Sequence, residues 1–362
     1  FIACGLALRS DLLRREKLGI LQGIEESKVV GGKITISDIL SNVILGFLLG
    51  FKGLYALLNP TLFTGTQAKD NLLSMDHGYW WGGCLLAAIF VFLKYRDQQK
   101  IAAEYPSKHT IKEMVMPHQR VADIVIIAAI SGLLGAKLLY MTEVEYSSWS
   151  AMIADFFSGS GLAVYGGFIL AFVIVSWYIH AKKIPFRQLI DACAPAMILG
   201  TGVGRLGCHF SGDGDWGDPN PFAKPFEWLP DWLWAYSYPN NVMNENTLLD
   251  NCDYPADFGS HCYYLAEPVF PTPIYELIIC LIIFWILWSL RHRVKFHGIV
   301  FSVYLIFTGL ERFLLEMIRV NDDYSVGGLS LSQAQYIAIV LTCIGLVLTV
   351  FFVQKQRAMP AD

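Results

Sequence analysis

The chain has 362 residues, 54% of them hydrophobic and only 16% charged, where an ordinary soluble domain carries about 25% charged residues. With 27 Lys and Arg against 31 Asp and Glu, the formal net charge is −4. That balance argues against a disordered chain, a coiled coil, a cytosolic enzyme or a nucleic-acid reader. The apolar residues fall instead in blocks of about twenty, the length at which a helix crosses a bilayer.

In chain order the apolar runs predict spans at Phe1–Leu8, Ser37–Leu58, Gly78–Leu93, Val121–Met141, Gly161–Ile179, Gln188–Gly204, Thr272–Leu290, Gly298–Ile318 and Gln333–Val353. Phe1–Leu8 reads as the tail of a span that begins upstream. The expected fold is all-α, a polytopic transmembrane helix bundle of about nine spans with the first one partial. Taken loop by loop, one side collects 20 basic residues and the other only Lys69 and Lys224. By the positive-inside rule the amino end faces out and the carboxyl end faces the cytoplasm.

The outer face carries one long segment, Leu206–Val269, rich in Asp, Pro and Trp. Trp216, Trp228, Trp232 and Trp234, with Tyr236 and Tyr238, suit a platform at headgroup level. Cys252 and Cys262 lie in this segment, where oxidising conditions allow a disulfide. No CxxC or HExxH motif is present, and neither a metal nor a cofactor is expected.

A two-span unit recurs. Asp38-Ile39, Leu48-Leu49-Gly50, Lys52, Leu54 and Tyr55 align with Asp123-Ile124, Leu133-Leu134-Gly135, Lys137, Leu139 and Tyr140, at an offset of 85 residues. Trp81-Gly82-Gly83 matches Tyr165-Gly166-Gly167 at an offset of 84. Chance likeness between apolar segments is the bland alternative, but shared Asp, Lys and Tyr speak against it. The domain expectation is residues 1–120 for the amino-terminal spans with one copy of the unit. Residues 121–362 form the core, with the outer segment at 206–269.

An ionisable residue within a span is costly unless paired or wet, so each is a functional candidate. Three stretches gather such residues on the outer side: Gly204–Gly217, Pro271–Glu276 and Gly309–Arg319. In the last, Arg312, Glu316 and Arg319 are spaced to line one helical face, and an ordinary intrahelical ion pair is the structural alternative. With Arg205, two or three guanidinium groups converge near one leaflet, which suits a phospholipid phosphate held in a bidentate fork.

These stretches resemble the prolipoprotein diacylglyceryl transferase family. The shared elements are Gly204-Arg205-x-Gly207 with its Gly/acid/Trp-Gly continuation, Tyr165-Gly166-Gly167, Pro271-Thr272-x-x-Tyr275-Glu276, and Gly309-x-x-Arg312-Phe313-x-x-Glu316-x-x-Arg319. They occur in family order between about Val121 and Val353. The resemblance implies a bacterial inner-membrane enzyme, multi-pass, with its active site toward the outer leaflet. It implies transfer of diacylglycerol from phosphatidylglycerol to the lipobox cysteine in the signal peptide of a preprolipoprotein, with release of glycerol phosphate. The expected partners are therefore phosphatidylglycerol, that peptide and membrane lipid, with no nucleic acid.

By motif, Arg205 matches the arginine that holds the headgroup, and Arg312 and Glu316 match the essential arginine and its partner. Tyr165 stands where many members have His. Cys208 and Ser211 replace two asparagines, Thr308 replaces a frequent tyrosine, and an extra residue lies between Gly212 and Trp216, so the acidic position is Asp213 or Asp215. Expected catalytic residues are Arg205, Arg312, Glu316, Tyr165 and His209. Expected substrate-binding residues are Arg205, Gly166, Gly167, Gly207, Ser211, Gly212, Asp213, Asp215, Gly217, Tyr275, Glu276 and Arg319. For removal of the thiol proton the candidates are Tyr165, His209 and the Asp213/Asp215 pair. Lys52 and Lys137 read as structural. Two other readings stand beside the transferase: a catalytically degenerate membrane scaffold, and a lipid transporter suggested by the repeat.

Overall fold

The computed structural model describes residues 1–30, 35–59, 78–105, 107, 109–156, 161, 163–249, 261–294, 297–319, 323–326 and 329–357. Cys252 and the basic residues Lys33, Lys69, Lys108 and Lys295 lie outside them. The fold is helical, with only three two-stranded sheets among the described residues. Among the described residues six helices are long and apolar enough to cross a membrane: Asp38–Leu58, Pro117–Glu143, Val164–Ala181, Phe186–Ser211, Thr272–Leu290 and Gln333–Lys355. The other expected spans fall on helices that are shorter or carry more charge, namely Ile2–Lys17, Trp80–Glu104 and Ile299–Leu315.

The chain divides into two compact units. One comprises Phe1–Ile24, Met116–Leu248 and Tyr263–Asp362; the other comprises Glu25–Val115 and Leu249–Cys262. In the smaller unit, α1 of the first copy of the aligned hairpin is Ile36–Leu48. It starts on a capping box in which the Asp38 N–H donates to the Thr35 hydroxyl at 3.2 Å and the Asp38 carboxylate accepts from the Thr35 N–H. A π-helical stretch, Leu49–Gly53, carries the chain into α2 (Leu54–Leu58), and α3 (Trp80–Glu104) packs back against α1. Cys262 is disulfide-bonded.

In the larger unit the second copy of the hairpin is α4 (Val121–Glu143) and α5 (Val164–Ala181). A Cβ on Gly135 would run into the carbonyl oxygen of Gly166, and one on Gly166 into that of Gly135, so only glycine permits this approach. The first copy makes the same contact between Gly50 and Gly82. The likeness extends to one hydrogen bond. Tyr79 N–H donates to the Phe51 carbonyl at 3.0 Å, and Ala163 N–H donates to the Ala136 carbonyl at 3.0 Å. These are aligned positions in both strands of the match. Lys137 is buried, 3.5 Å from Asp155, with its ammonium near the Tyr140 ring.

The rest of the larger unit is built around α6 (Phe186–Ser211), which packs against α7 (Thr272–Leu290) and α8 (Ile299–Leu315); α9 (Gln333–Arg357) covers α8. Ala194, Ile198, Cys280, Ile283, Leu287, Val300 and Tyr304 form the core between them. Asp191, buried on α6, accepts from the N–H groups of Gly298 at 2.7 Å and Phe301 at 2.9 Å. These donors at the start of α8 have no helical partner, so the carboxylate both satisfies them and sets the helix against α6. Nearer the amino end, buried Asp11 holds Arg14, Arg15 and Arg291 at 2.9, 2.7 and 3.1 Å.

The tryptophan-rich outer segment has a core of its own. Trp216 and Tyr238 are buried with Leu265 and Val269, whereas Trp228 and Trp232 remain exposed. The expected platform therefore splits into a structural pair and an exposed pair. Backbone pairing of Tyr236 with Val269, 2.9 and 3.0 Å, closes this small core.

Candidate functional site

Helix α6 presents Arg205 near its carboxyl end and stops at Gly212, whose φ of +59° is the left-handed conformation that ends many helices. The Gly212 N–H donates to the Cys208 carbonyl at 3.0 Å, and a Cβ at this position would come within 2.8 Å of the Asn241 Cβ. The turn sends the chain back so that Asp215 returns to Arg205. Three bonds hold the returning segment. Thr272 Oγ1 donates to the Asp215 carbonyl at 2.5 Å, Gly217 N–H donates to the Phe270 carbonyl at 2.9 Å, and Asp218 N–H donates to the Ile318 carbonyl at 2.9 Å. The mouth of α7 and the end of α8 thus meet the acidic loop.

Arg205 and Arg319 each donate to a different oxygen of the Asp215 carboxylate. Arg205 Nε also lies 2.7 Å from Glu276 Oε1, and Glu276 is buried at the start of α7. Burial by itself would raise the pKa of the Asp215 carboxyl, but the charges of Arg319 and Arg205 outweigh it and hold the group below the ordinary aspartate value. Arg312 adds to the same field. Of the two acids left open by the motif, Asp215 is the one among the arginines. Asp213 is exposed, and its carboxylate accepts a long bond, 3.4 Å, from the Asp215 N–H and another from the Cys208 thiol.

Arg312 Nη2 is 3.2 Å from Glu316 Oε2, and Ser332 Oγ donates to Glu316 Oε1 at 2.9 Å. The helical spacing of Arg312, Glu316 and Arg319 does not continue to the third residue. Helix α8 ends at Leu315, a 3-10 turn spans Glu316–Ile318, and Arg319 is extended at φ −102° and ψ 146°. A backbone bridge between Gly217 and Arg319 draws the chain away from the helix axis, and its guanidinium goes to Asp215.

Arg312 Nη1, Arg319 Nε and Glu311 Oε1 are among the side-chain atoms buried here without a hydrogen-bond partner among the described residues. Two of them are guanidinium donors. Native proteins rarely leave such donors unpaired, so their direction marks where an anionic acceptor fits.

Tyr165 opens α5 and is 42% exposed, while Gly166 and Gly167 behind it face α4. His209 is buried, ringed by Phe210, Tyr236 and Tyr238, with its Nδ1 3.3 Å from the Tyr238 hydroxyl. Among the described residues the Arg205 bond runs to Asp215 and the His209 contact to Tyr238, so neither Tyr165 nor His209 is seen bonded to the arginines. Tyr275 donates to the Trp234 carbonyl at 3.4 Å, and Ser211 to the Cys208 carbonyl at 3.4 Å; at Gly207 a Cβ would meet open space. Cys208, Asp213 and Asp215 bring donor atoms within 4.8 Å of one another. Both Asp215 oxygens already serve guanidinium groups, so the trio suits arginine seating better than cation binding.

Sequence reasoning passed over Glu311 and Ser332. For Glu311 the signal was available, since a carboxylate in an apolar helix is itself a candidate. Ser332 lies beyond the helix, and only the packing of α9 on α8 brings it to Glu316.

The arrangement is a wall of guanidinium groups seated on carboxylates, with donors to spare. Comparison with known proteins agrees in kind. The sequence profile described as prolipoprotein diacylglyceryl transferase matches residues 70–351. The chain is 28% identical over 247 residues to the phosphatidylglycerol--prolipoprotein diacylglyceryl transferase of Corynebacterium glutamicum, covering 67% of this chain and 72% of that protein. It is 28% identical over 230 residues to the Clostridium botulinum protein of the same name, covering 63% and 77%. The Leptospira interrogans protein of that name is 32% identical over 169 residues, 46% and 44% of the two chains. A match that spans the arginine wall and the helices supporting it places this chain in the prolipoprotein diacylglyceryl transferase family.

Proposed function

We propose that the chain transfers the diacylglyceryl group of phosphatidylglycerol to the lipobox cysteine of a preprolipoprotein, forming a thioether and releasing glycerol phosphate. The observation that carries this reading is the pair of buried guanidinium donors, Arg312 Nη1 and Arg319 Nε, left without partners beside Arg205. A phosphodiester supplies the acceptors they lack. As the glyceryl carbon–oxygen bond breaks, negative charge gathers on the departing phosphate. Preorganised arginines in a poorly hydrated site stabilise that charge most where it develops. Asp215, Glu276 and Glu316 hold Arg205, Arg319 and Arg312 in place, so little reorganisation accompanies the step. Gly207, Ser211, Gly212, Gly217 and Tyr275 shape the surroundings, and exposed Tyr165 offers a ring against which substrate is positioned. His209 supports the outer segment through the Tyr236 and Tyr238 rings.

The finer membrane reading is part of the proposal: nine spans in a bacterial inner membrane, amino end out, carboxyl end in the cytoplasm, and the site toward the outer leaflet. The 20-to-2 distribution of basic residues supports it. The matched Gly–Gly contacts and backbone bonds of the two hairpins support duplication of a two-span unit, with the catalytic core from about residue 121.

The test is transfer of labelled diacylglycerol from phosphatidylglycerol to a lipobox peptide by the purified, membrane-reconstituted chain. We expect thioether-linked label with release of glycerol phosphate. Folded protein that yields none would refute the transferase reading and leave the scaffold and transporter readings.

A further inference from the structure

Four carboxylates gather in the arginine site, and three of them are engaged by guanidinium: Asp215 by Arg205 and Arg319, Glu276 by Arg205, and Glu316 by Arg312. Each of these three is held in an ion pair with an arginine. Glu311 differs. It is 94% buried, since its exposure is only 6%, and its Oε1 has no hydrogen-bond partner among the described residues. It stands immediately before Arg312 on α8, and Thr308 lies one turn earlier on the same face. Keeping a polar oxygen buried and unpaired is costly, and such cost is tolerated where the group has work to do. The titratable groups that act on it electrostatically from the packed elements are Glu276 and Cys280 of α7, Tyr304 and Arg312 of α8, Arg205 of α6 and Arg319.

Resting on the transferase reading, we propose that Glu311 is the catalytic proton acceptor for the lipobox thiol. The thiol proton passes to a Glu311 carboxylate oxygen as the sulfur forms its bond to the glyceryl carbon. The carbon–oxygen bond to phosphate breaks, its electron pair leaves on the phosphate oxygen, and glycerol phosphate departs against Arg205 and Arg312. Glu311 then returns the proton to solvent. Successive positions on α8 thus supply an acceptor for the nucleophile's proton and a donor for the leaving group. This matches what the reaction needs: the thiolate is the competent nucleophile, and a free thiol near pKa 8.5 is mostly protonated at neutral pH.

The test compares the full chain with Glu311→Gln and Glu311→Asp, all reconstituted in phosphatidylglycerol vesicles, on two lipobox peptides. One carries cysteine and the other selenocysteine, whose selenol ionises at neutral pH and needs no base. With the thiol peptide, Glu311→Gln should lose about 10²–10⁴-fold in kcat with KM little changed, and its rate should climb with pH as the thiol ionises by itself. With the selenol peptide it should come within about tenfold of the wild-type rate, while Arg312→Ala stays inactive on both. Glu311→Asp should fall between. A wild-type rate for Glu311→Gln on the thiol, or equal losses on both peptides, would overturn the proposal and leave the transferase reading standing. Failure of the wild-type chain to form thioether would overturn both.

Discussion

Arg205 Nε lies 2.7 Å from Glu276 Oε1, with the Glu276 side chain 3% exposed and that of Arg205 21%. Removing one partner of such a pair leaves an uncompensated buried charge. Arg205→Ala should therefore destabilise the protein by about 3–5 kcal/mol as well as abolish transfer. The double variant Arg205→Ala/Glu276→Gln separates the two effects. We expect it to regain much of the stability, read as the detergent-phase unfolding midpoint, and none of the activity. Arg205→Lys should rescue poorly, because an ammonium cannot reach Glu276, Asp215 and a phosphate together.

Asp215 gives the acid dependence of the site. Its folded-state pKa lies below the ordinary aspartate value of 3.8, so its contribution to stability is fully present above that value and is lost as pH falls through the lower folded one. Wild-type protein should lose stability progressively below about pH 4, through this carboxylate among others. Asp215→Asn should be less stable at neutral pH and should lose less on acidification. Unfolding midpoints at neutral pH and at pH about 3 compare the two.

Tyr165→Phe should reduce transfer only about tenfold, since Tyr165 is half-exposed and bonds no arginine among the described residues, and a positioning contact is worth that order. A loss of several thousandfold with a shifted pH profile would assign its hydroxyl to proton transfer instead.

Gly166→Ala should be worse than an ordinary alanine substitution in a helix. The new methyl meets the Gly135 carbonyl and, at 2.5 Å, the Leu139 Cβ, so α4 and α5 must move apart. Overpacking of this kind costs about 1–3 kcal/mol. Gly50→Ala should act likewise in the first hairpin, against Gly82, and Gly207→Ala, facing open space, should be mild by comparison. Thermal unfolding of the three variants checks the order.

The membrane character, the helical class and the two chief arginines were legible from composition and local pattern. Desolvation makes a guanidinium in an apolar run conspicuous without any knowledge of its partner. The repeat was legible too, because Gly50 and Gly135 mark close helix approach through their own lack of a side chain. What the chain order alone left open was pairing. Asp213 and Asp215 are equivalent acids in the sequence, and the left-handed turn at Gly212 together with the Thr272 bond puts Asp215 on the arginines. Arg319 fits a helical period with Arg312, but the bridge to Gly217 takes it off the helix. Ser332 reaches Glu316, and Glu311 Oε1 stands without a hydrogen-bond partner among the described residues, only through the packing of α6, α7, α8 and α9. Burial preferences are properties of a residue and its neighbours along the chain. Ion pairing depends on the path that loops take between distant segments, and tertiary structure alone decides that path.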